Sequence, residues 1–394
     1  MIPYLSKAGK EILRGTALLR LDFNAQDEWR MKAALPTIHF LVKHLDKIII
    51  LSHRGRPTFA KVPAFSKLSA GKSAGKPPGF DQKLSLKKDA ANLAKLLGRK
   101  VTFVPHFDFE KIKKTVGNSR NGSIFILENL RFLKGEAEND KKFAKKLASL
   151  GDFYVNDAFA VSHRKNASIS AITEFLPSFA GLGLEKEIKF LSRAILKPKK
   201  PLVIVIGGAK AHDKLGVLKY FKNRADCFLI AGASANTLLF IKGVDIKSSL
   251  MSKDKDDIKH LRRVLNYKNL IVPVDVKFQG ETILDVGDKT AAIFSEKIKN
   301  ARTIIWSGPI GAFEKKGFSG GTLAVAKAIA ENKKAFSVVG GGETVSFLEK
   351  HGLNGISKNF SFVSTGGGAM LEFLAGNKLP GIEALKKMSA SRKK

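Results

Sequence analysis

Apolar runs of three to five residues recur along the chain, and each is closed by a polar cluster. In the first half the runs ALLRL, IIILS, IFILE and FYV open onto Asp22-Phe23-Asn24, His53-Arg54-Gly55-Arg56, Asn129-Leu130-Arg131 and Asn156-Asp157. In the second half LVIVI, CFLI, TIIW, FSVV and FSFV open onto glycine instead. The clusters are Gly207-Gly208-Ala209-Lys210, Ala231-Gly232-Ala233, Gly308-Pro309-Ile310-Gly311, Gly340-Gly341-Gly342 and Gly366-Gly367-Gly368. Helical stretches between short apolar runs predict parallel sheets, whose ligands bind outside the carboxyl ends of the strands.

Strands are expected at 16–24, 47–55, 101–107, 123–132 and 152–160 for one sheet. A second sheet is expected from 201–210, 227–234, 270–278, 303–311, 335–343 and 360–368. Amphipathic periodicity predicts helices at 141–150 and 322–332, and a bridging helix over 183–196. The fold class is therefore α/β, with two doubly wound parallel-sheet domains joined by an interdomain helix. The expected division is 1–180, 181–375 and a C-terminal segment, 376–394, that packs back toward the first domain. The Lys-, Ser-, Gly- and Pro-rich stretch 58–83 reads as a surface excursion, and Arg392-Lys393-Lys394 as a frayed tail.

The two kinds of strand end imply two kinds of ligand. Guanidinium groups pair carboxylate and phosphate oxygens bidentately, so the first half suits a small, multiply charged anion. Arg30, His53, Arg56, Arg131, His163 and Arg164, with Asp22 and Asn24, form that candidate set. Glycines let backbone N–H groups approach a phosphate or a planar base closely, which suits a nucleotide. Lys210 and Lys214, four apart at a helix start, can put two ammonium groups beside the positive end of the helix.

Composition narrows the setting. A chain of 394 residues exceeds what one core usually serves. No apolar run reaches the roughly 18 residues of a membrane span, and the start MIPYLSKAGKEILRG lacks the apolar core of a signal peptide. The single Cys227 excludes an internal disulfide, and the expected compartment is the cytoplasm. Lys plus Arg number 69 against 35 acidic residues, a net charge of +34 that raises the question of nucleic acid. The lysines are spread over most helices, as in Lys141, Lys142, Lys145 and Lys146. No zinc-finger spacing or aromatic RNA-binding strand accompanies them, so no specific nucleic-acid partner is expected. Gly71-Lys72-Ser73 lacks the leading glycine of a phosphate loop, since Ser66 stands there, and no G-x-S-x-G elbow occurs.

Taken together, the motifs resemble phosphoglycerate kinases over almost the whole chain. The first half matches at Leu21-Asp22-Phe23-Asn24, at Arg30-Met31-Lys32-Ala33-Ala34-Leu35-Pro36, and at Ser52-His53-Arg54-Gly55-Arg56-Pro57. It matches again at Leu127-Glu128-Asn129-Leu130-Arg131-Phe132, Val155-Asn156-Asp157-Ala158-Phe159 and His163-Arg164. The second half matches at Gly207-Gly208-Ala209-Lys210, Asp213-Lys214, Trp306, Gly308-Pro309, Phe313-Glu314, Gly340-Gly341-Gly342 and Ser364-Thr365-Gly366-Gly367-Gly368.

The resemblance implies reversible phosphoryl transfer from 1,3-bisphosphoglycerate to ADP, with Mg2+ and without a covalent enzyme intermediate, in a monomer. It implies that Asp22, Phe23, Asn24, Arg30, His53, Arg54, Gly55, Arg56, Arg131 and Arg164 hold the glycerate. Gly208, Lys214, Gly232, Gly287, Pro309, Glu314, Gly341, Gly342, Glu343 and Thr344 would hold the nucleotide, with Glu343 toward the metal. Arg30, Lys210 and Lys214 would be catalytic, and the domains would close by a hinge near Gly181 and Gly183.

Several positions depart from the family pattern. Glu343 stands for an aspartate, Ser307 for an asparagine, and His212 lies where small residues are usual; the loop after Asn24 is shortened. Two other readings stay open: a weakened relative whose basic surface binds nucleic acid, and a kinase for another small acidic substrate.

Overall fold

A computed structural model describes residues 1–9, 11–24, 28–57, 80–351 and 359–391. The excursion at 58–83 lies outside the described residues as far as 79, as do Gly71-Lys72-Ser73, the loop 25–27 and the tail 392–394. The chain divides into a unit of Met1–Lys186 with Lys378–Lys394, and a unit of Glu187–Asn377.

The first unit carries a six-stranded sheet. Its strands are β1 (Thr16–Arg20), β2 (Lys47–Leu51), β3 (Val101–Val104), β4 (Ser123–Leu127), β5 (Phe153–Asn156) and β6 (Ser178–Ala180). They lie in the order β3-β4-β2-β1-β5-β6, with every pairing parallel. Parallel strands are covered on both faces, which is why β2 reads KIIIL without alternation and buries its last four residues. One face packs Leu19, Ile50 and Ile126 beneath Ile38 and Leu41 of the helix Trp29–His44. The other packs Leu18, Ile49 and Phe125 against Phe143 and Leu147. These last two belong to the helix Lys141–Ala148, whose start is fixed by Asp140 accepting from the Phe143 N–H at 2.6 Å.

The second unit carries β7 (Leu202–Ile206), β8 (Cys227–Ile230), β9 (Leu270–Ile271), β10 (Val276–Gln279), β11 (Thr282–Val286), β12 (Thr303–Ser307), β13 (Phe336–Gly340) and β14 (Phe362–Ser364). Its main sheet runs β14-β13-β12-β7-β8-β9, again parallel throughout. β10 and β11 form a separate antiparallel hairpin. The run expected as one strand at 270–278 is thus two strands in different sheets. β9 pairs with β8 for two residues, after which β10 pairs with β11 through a turn containing Gly280 at φ 57°. β6 and β11 were not expected; the remaining strands begin where expected to within about two residues. They end earlier, because the polar clusters that close each run form loops.

Each sheet reverses its direction of growth once. In the first the chain builds outward from β1 through β2 and then returns to place β5 on the other side of β1. In the second it builds from β7 to β8 and returns to place β12 on the other side of β7. Such switch points leave a crevice at the carboxyl ends, where the two loops diverge.

The helix Leu182–Leu196 crosses from one unit to the other at Lys186 and Glu187. Asp157, just after β5, secures its first turn by accepting from the Leu184 N–H at 2.8 Å. The second oxygen of that carboxylate is shielded from solvent without a partner among the described residues. Burial pushes the Asp157 carboxyl up to about 6, with the Leu184 N–H opposing the shift. The folded chain therefore holds this proton more tightly than the unfolded chain does. The resulting stabilisation is full below the unfolded value of 3.8 and is lost as pH rises through about 6. Asp157→Asn should accordingly raise the melting temperature more at pH 7 than at pH 4.5. A difference between variant and parent that does not change with pH would refute this assignment.

Candidate active site

The switch point of the first sheet gathers arginines around one carboxylate. Asp22, buried just beyond β1, accepts from Arg30 Nη1 at 2.7 Å and from the Asn24 N–H at 2.9 Å. Arg30 is fixed from the first turn of the helix Trp29–His44 and donates also to the Asn24 carbonyl at 3.0 Å. Its Nε is buried and without a partner among the described residues. Asn24 Oδ1 accepts from the Gly55 N–H at 2.8 Å, tying the loop after β1 to the loop after β2. Phe23 is buried in the apolar face beneath.

His53 is fully buried beside Asp22, 3.8 Å away. Burial first, then the charges of Arg20, Arg131, Arg164 and Arg30, hold its imidazole far below the usual histidine range, so the ring is neutral. Its Nδ1 lies 3.0 Å from Arg20 Nη2. A guanidinium can only donate, so Nδ1 accepts and the proton sits on Nε2. That N–H has no partner among the described residues. An unpaired buried donor is costly, and an anionic oxygen would satisfy it.

Arg131 donates to the Gly55 carbonyl at 2.5 Å and is lowered to about 10 by burial, with Arg164 and Arg20 adding to the effect. Asn129 positions it by accepting from its backbone N–H at 3.1 Å while also holding Arg54. Arg164 is lowered too, first by burial and then by Arg56, which is exposed. The Arg54 side chain is engaged elsewhere, bidentate on the buried Asp89. Arg20, Arg30, Arg56, Arg131 and Arg164 thus surround a site whose carboxylates are Asp22 and Glu136. The surplus is positive, and a small polyanion would complete it.

Arg20 and Glu136 were not singled out from sequence. Arg20 ends β1 and is 1% exposed, bonded to Ser168 Oγ and the Leu21 carbonyl, while Glu136 accepts from the Ser168 N–H and hydroxyl. The signal for Arg20 was present: it is the one charged residue inside the run ALLRL.

At the switch point of the second sheet the loops after β7 and β12 lock together. Gly207 N–H donates to the Ser307 carbonyl at 3.0 Å, and Gly208 N–H to the Pro309 carbonyl at 2.7 Å. Gly232 opens the helix Gly232–Ile241 at φ +61°, where a Cβ would stand 2.5 Å from the Gly208 carbonyl. No larger residue fits that approach. Beside these loops lies a cavity of about 240 Å3. Gly208, Gly232, Pro309, Glu314 and Glu343 line it, so five of the expected nucleotide residues are brought together. Its remaining wall is largely apolar, from Leu250, Ile283, Leu284 and Phe313, and the hairpin β10–β11 supplies much of it. The hairpin residues were missed because the run 270–278 read as a single strand.

Five of the expected residues do not line the cavity. Gly287 caps the helix Asp288–Lys299 against Asp275, its N–H donating to the Asp275 carbonyl at 2.9 Å. Gly341 and Gly342 turn the chain into the helix Gly342–Lys350, and Thr344 Oγ1 accepts from the Gly308 N–H at 2.9 Å. Lys214 is buried, and its ammonium donates to Ser307 Oγ at 3.3 Å. Burial lowers this lysine, with Lys210 adding to the effect and Asp213 and Glu343 opposing it. Ser307, short as it is, thus holds the lysine. His212 Nδ1 lies 2.7 Å from Asp257, which raises its affinity for a proton and anchors the segment carrying Lys210 and Lys214. Lys210 itself is exposed. An apolar slot with glycine loops and two lysines suits a planar heterocycle carrying phosphates.

Comparison with known proteins identifies the family. The phosphoglycerate kinase family model matches residues 11–377. A phosphoglycerate kinase of Desulforapulum autotrophicum is 42% identical, over 94% of this chain and 97% of its own. One from Wolbachia sp. subsp. Drosophila simulans is 40% identical, over 94% and 95%. The solved phosphoglycerate kinase of Coxiella burnetii superposes with a TM-score of 0.77 at 32% identity, covering 98% of this chain and 99% of its own. The chain belongs to the phosphoglycerate kinase family, the phosphotransferases that move a phosphoryl group between the carboxyl group of 3-phosphoglycerate and ADP.

Proposed function

We propose that the arginine cluster of the first unit holds the glycerate and the glycine-walled slot of the second holds ADP or ATP. The observation that carries this reading is the surplus of guanidinium charge around Asp22, with a buried His53 N–H left to donate. Asn24, Arg56, Arg131 and Arg164 complete the anion site, while Phe23, Arg54 and Gly55 shape its loops. Gly208, Gly232, Pro309 and Glu314 bound the nucleotide, and Gly287, Gly341, Gly342 and Thr344 support them. Arg30, Lys210 and Lys214 neutralise charge on the phosphoryl group in flight. Closure about the segment near Gly181 and Gly183 brings the two ligands together. Phosphoryl transfer has a loose transition state, so positioning and charge stabilisation account for the rate, and no protein nucleophile is needed.

Among the described residues no group of three or more His, Cys, Asp or Glu side chains forms a metal cage. A single carboxylate does fit magnesium, which keeps most of its water and binds largely through phosphates. Glu343, exposed in the first turn of its helix, is the residue that would hold it. Bound there with the nucleotide, the metal would neutralise phosphate charge. Glu343→Gln should raise the magnesium concentration needed for half-maximal rate by about tenfold, whereas Glu343→Asp should keep activity within about tenfold. Unchanged magnesium dependence in the glutamine variant would remove Glu343 from the metal.

The proposed state is a cytoplasmic monomer without a specific nucleic-acid partner. The lone Cys227 supports the compartment, and no helix among the described residues is long and apolar enough to cross a membrane. A coupled assay of ATP formation from 1,3-bisphosphoglycerate and ADP tests the whole reading. Turnover is expected with this acyl phosphate and not with acetyl phosphate; the reverse preference would overturn the assignment of the anion site.

A further inference from the structure

Five cations converge at the other end of the second unit's sheet, where its strands begin. Arg193 comes from the helix Leu182–Leu196, Lys199 precedes β7, Arg302 precedes β12, and Lys333 and Lys334 precede β13. Together with Phe190, Phe336 and Ser361 they line a hollow of about 270 Å3. Strands of five residues at about 3.3 Å each separate this end from the nucleotide slot by roughly 16 Å.

The backbone holds these residues at fixed spacing. The Lys199 carbonyl accepts from Thr303 Oγ1 at 2.8 Å, and the Arg302 N–H donates to the Pro201 carbonyl at 2.9 Å. The Phe336 N–H donates in turn to the Arg302 carbonyl at 2.8 Å, and the Ser361 N–H to Ser337 Oγ at 3.0 Å. Phe190 stacks on Phe336 and Phe362, with ring centroids 6.0 and 4.7 Å away. The Arg193 guanidinium lies 4.1 Å over the Phe336 ring, which holds it in place. None of the five cations forms an ion pair with a carboxylate among the described residues. Glu331 and Asp226 are paired with Lys299 and Lys200 instead.

Like charges gathered in a concave, partly apolar hollow repel one another and focus a positive potential. A single phosphate would neutralise only part of that charge. A linear di- or triphosphate carries several negative charges within a compact volume, and two arginines can fork its oxygens. We propose that this hollow is a second anion site, for a compact polyphosphate, independent of the catalytic machinery.

Calorimetric titration of the full chain with inorganic tripolyphosphate, without magnesium, tests the site. The Arg193→Ala/Arg302→Ala and Lys333→Glu/Lys334→Glu variants should each weaken one class of tripolyphosphate binding by at least tenfold. Their phosphoryl-transfer rates should stay at the parent value, which also shows that they fold. The control pair Lys145→Ala/Lys146→Ala should bind as the parent does. Equal weakening in the control would reduce the effect to overall charge, and unaltered binding in the hollow variants would place the anion elsewhere. Either result overturns the proposal. So would inorganic phosphate binding as tightly as tripolyphosphate. Single-stranded DNA that loses affinity in the same variants and displaces tripolyphosphate would reassign the hollow to a nucleic-acid backbone.

Discussion

Replacing Arg30 with alanine should lower turnover by about 10²–10³-fold, the usual loss when a preorganised donor to transition-state charge is removed. ADP affinity should be unchanged, because Arg30 belongs to the first unit. One edge of its guanidinium is committed to Asp22 and to the Asn24 carbonyl, which sets its orientation before any ligand arrives. Its buried Nε keeps a donor in reserve. Arg30→Lys preserves the charge and loses the fork, so its turnover should fall between the parent and the alanine variant. Steady-state rates with calorimetric ADP binding make the test. Near-parent turnover in Arg30→Ala would remove it from the reaction.

The second large effect is expected at Arg131, and it should appear in KM. This side chain is buried, lowered to about 10 by its surroundings, and held on the Gly55 carbonyl. It remains charged at neutral pH, and ligand oxygens would relieve the repulsion from Arg164 and Arg20. A hydrogen bond to a charged group contributes about 1.5–3 kcal/mol. Arg131→Ala should therefore raise KM for 3-phosphoglycerate by roughly 10- to 150-fold and change kcat much less. A variant altered only in ADP affinity would mean that the two ligands have been assigned to the wrong units.

What the sequence made readable follows from the physics of each element. Parallel strands buried on both faces leave a solid apolar run, so KIIIL and LVIVI marked β2 and β7 directly. Their ends were harder, because the loops beyond are extended and partly buried too. Leu21 and Phe23 are core residues outside β1. β6 has three residues, Ser178 to Ala180, too few for a pattern to emerge. The hairpin β10–β11 is half-exposed and sits apart from the main sheet, so no continuous run announced it. The gathering of candidate residues at the strand ends was legible from residue type, as with Arg30 beside Asp22. It was hidden where contacts redirect a side chain, as with Arg54 on Asp89. The neutral state of His53 likewise follows from burial and neighbouring arginines, which only the fold assembles.

The path of the chain has a consequence for synthesis. The first unit is built from two separated stretches of the chain, since Lys378–Lys394 belongs with Met1–Lys186. The helix Pro380–Ser391 contributes Ile382 and Leu385 to its buried residues, and the Gly381 N–H donates to the Ser162 carbonyl at 2.8 Å. The ribosome makes the 191 residues of Glu187–Asn377 after Lys186 and before Lys378 (377 − 186). At roughly 5–20 residues per second that interval lasts about 10–40 s. During it the earlier-made unit waits without its last helix, with the apolar surface under Ile382 and Leu385 open, while the later-made unit can finish folding. The unit whose synthesis starts first is thus the last to be completed, and a chaperone or premature release would act on it in that window.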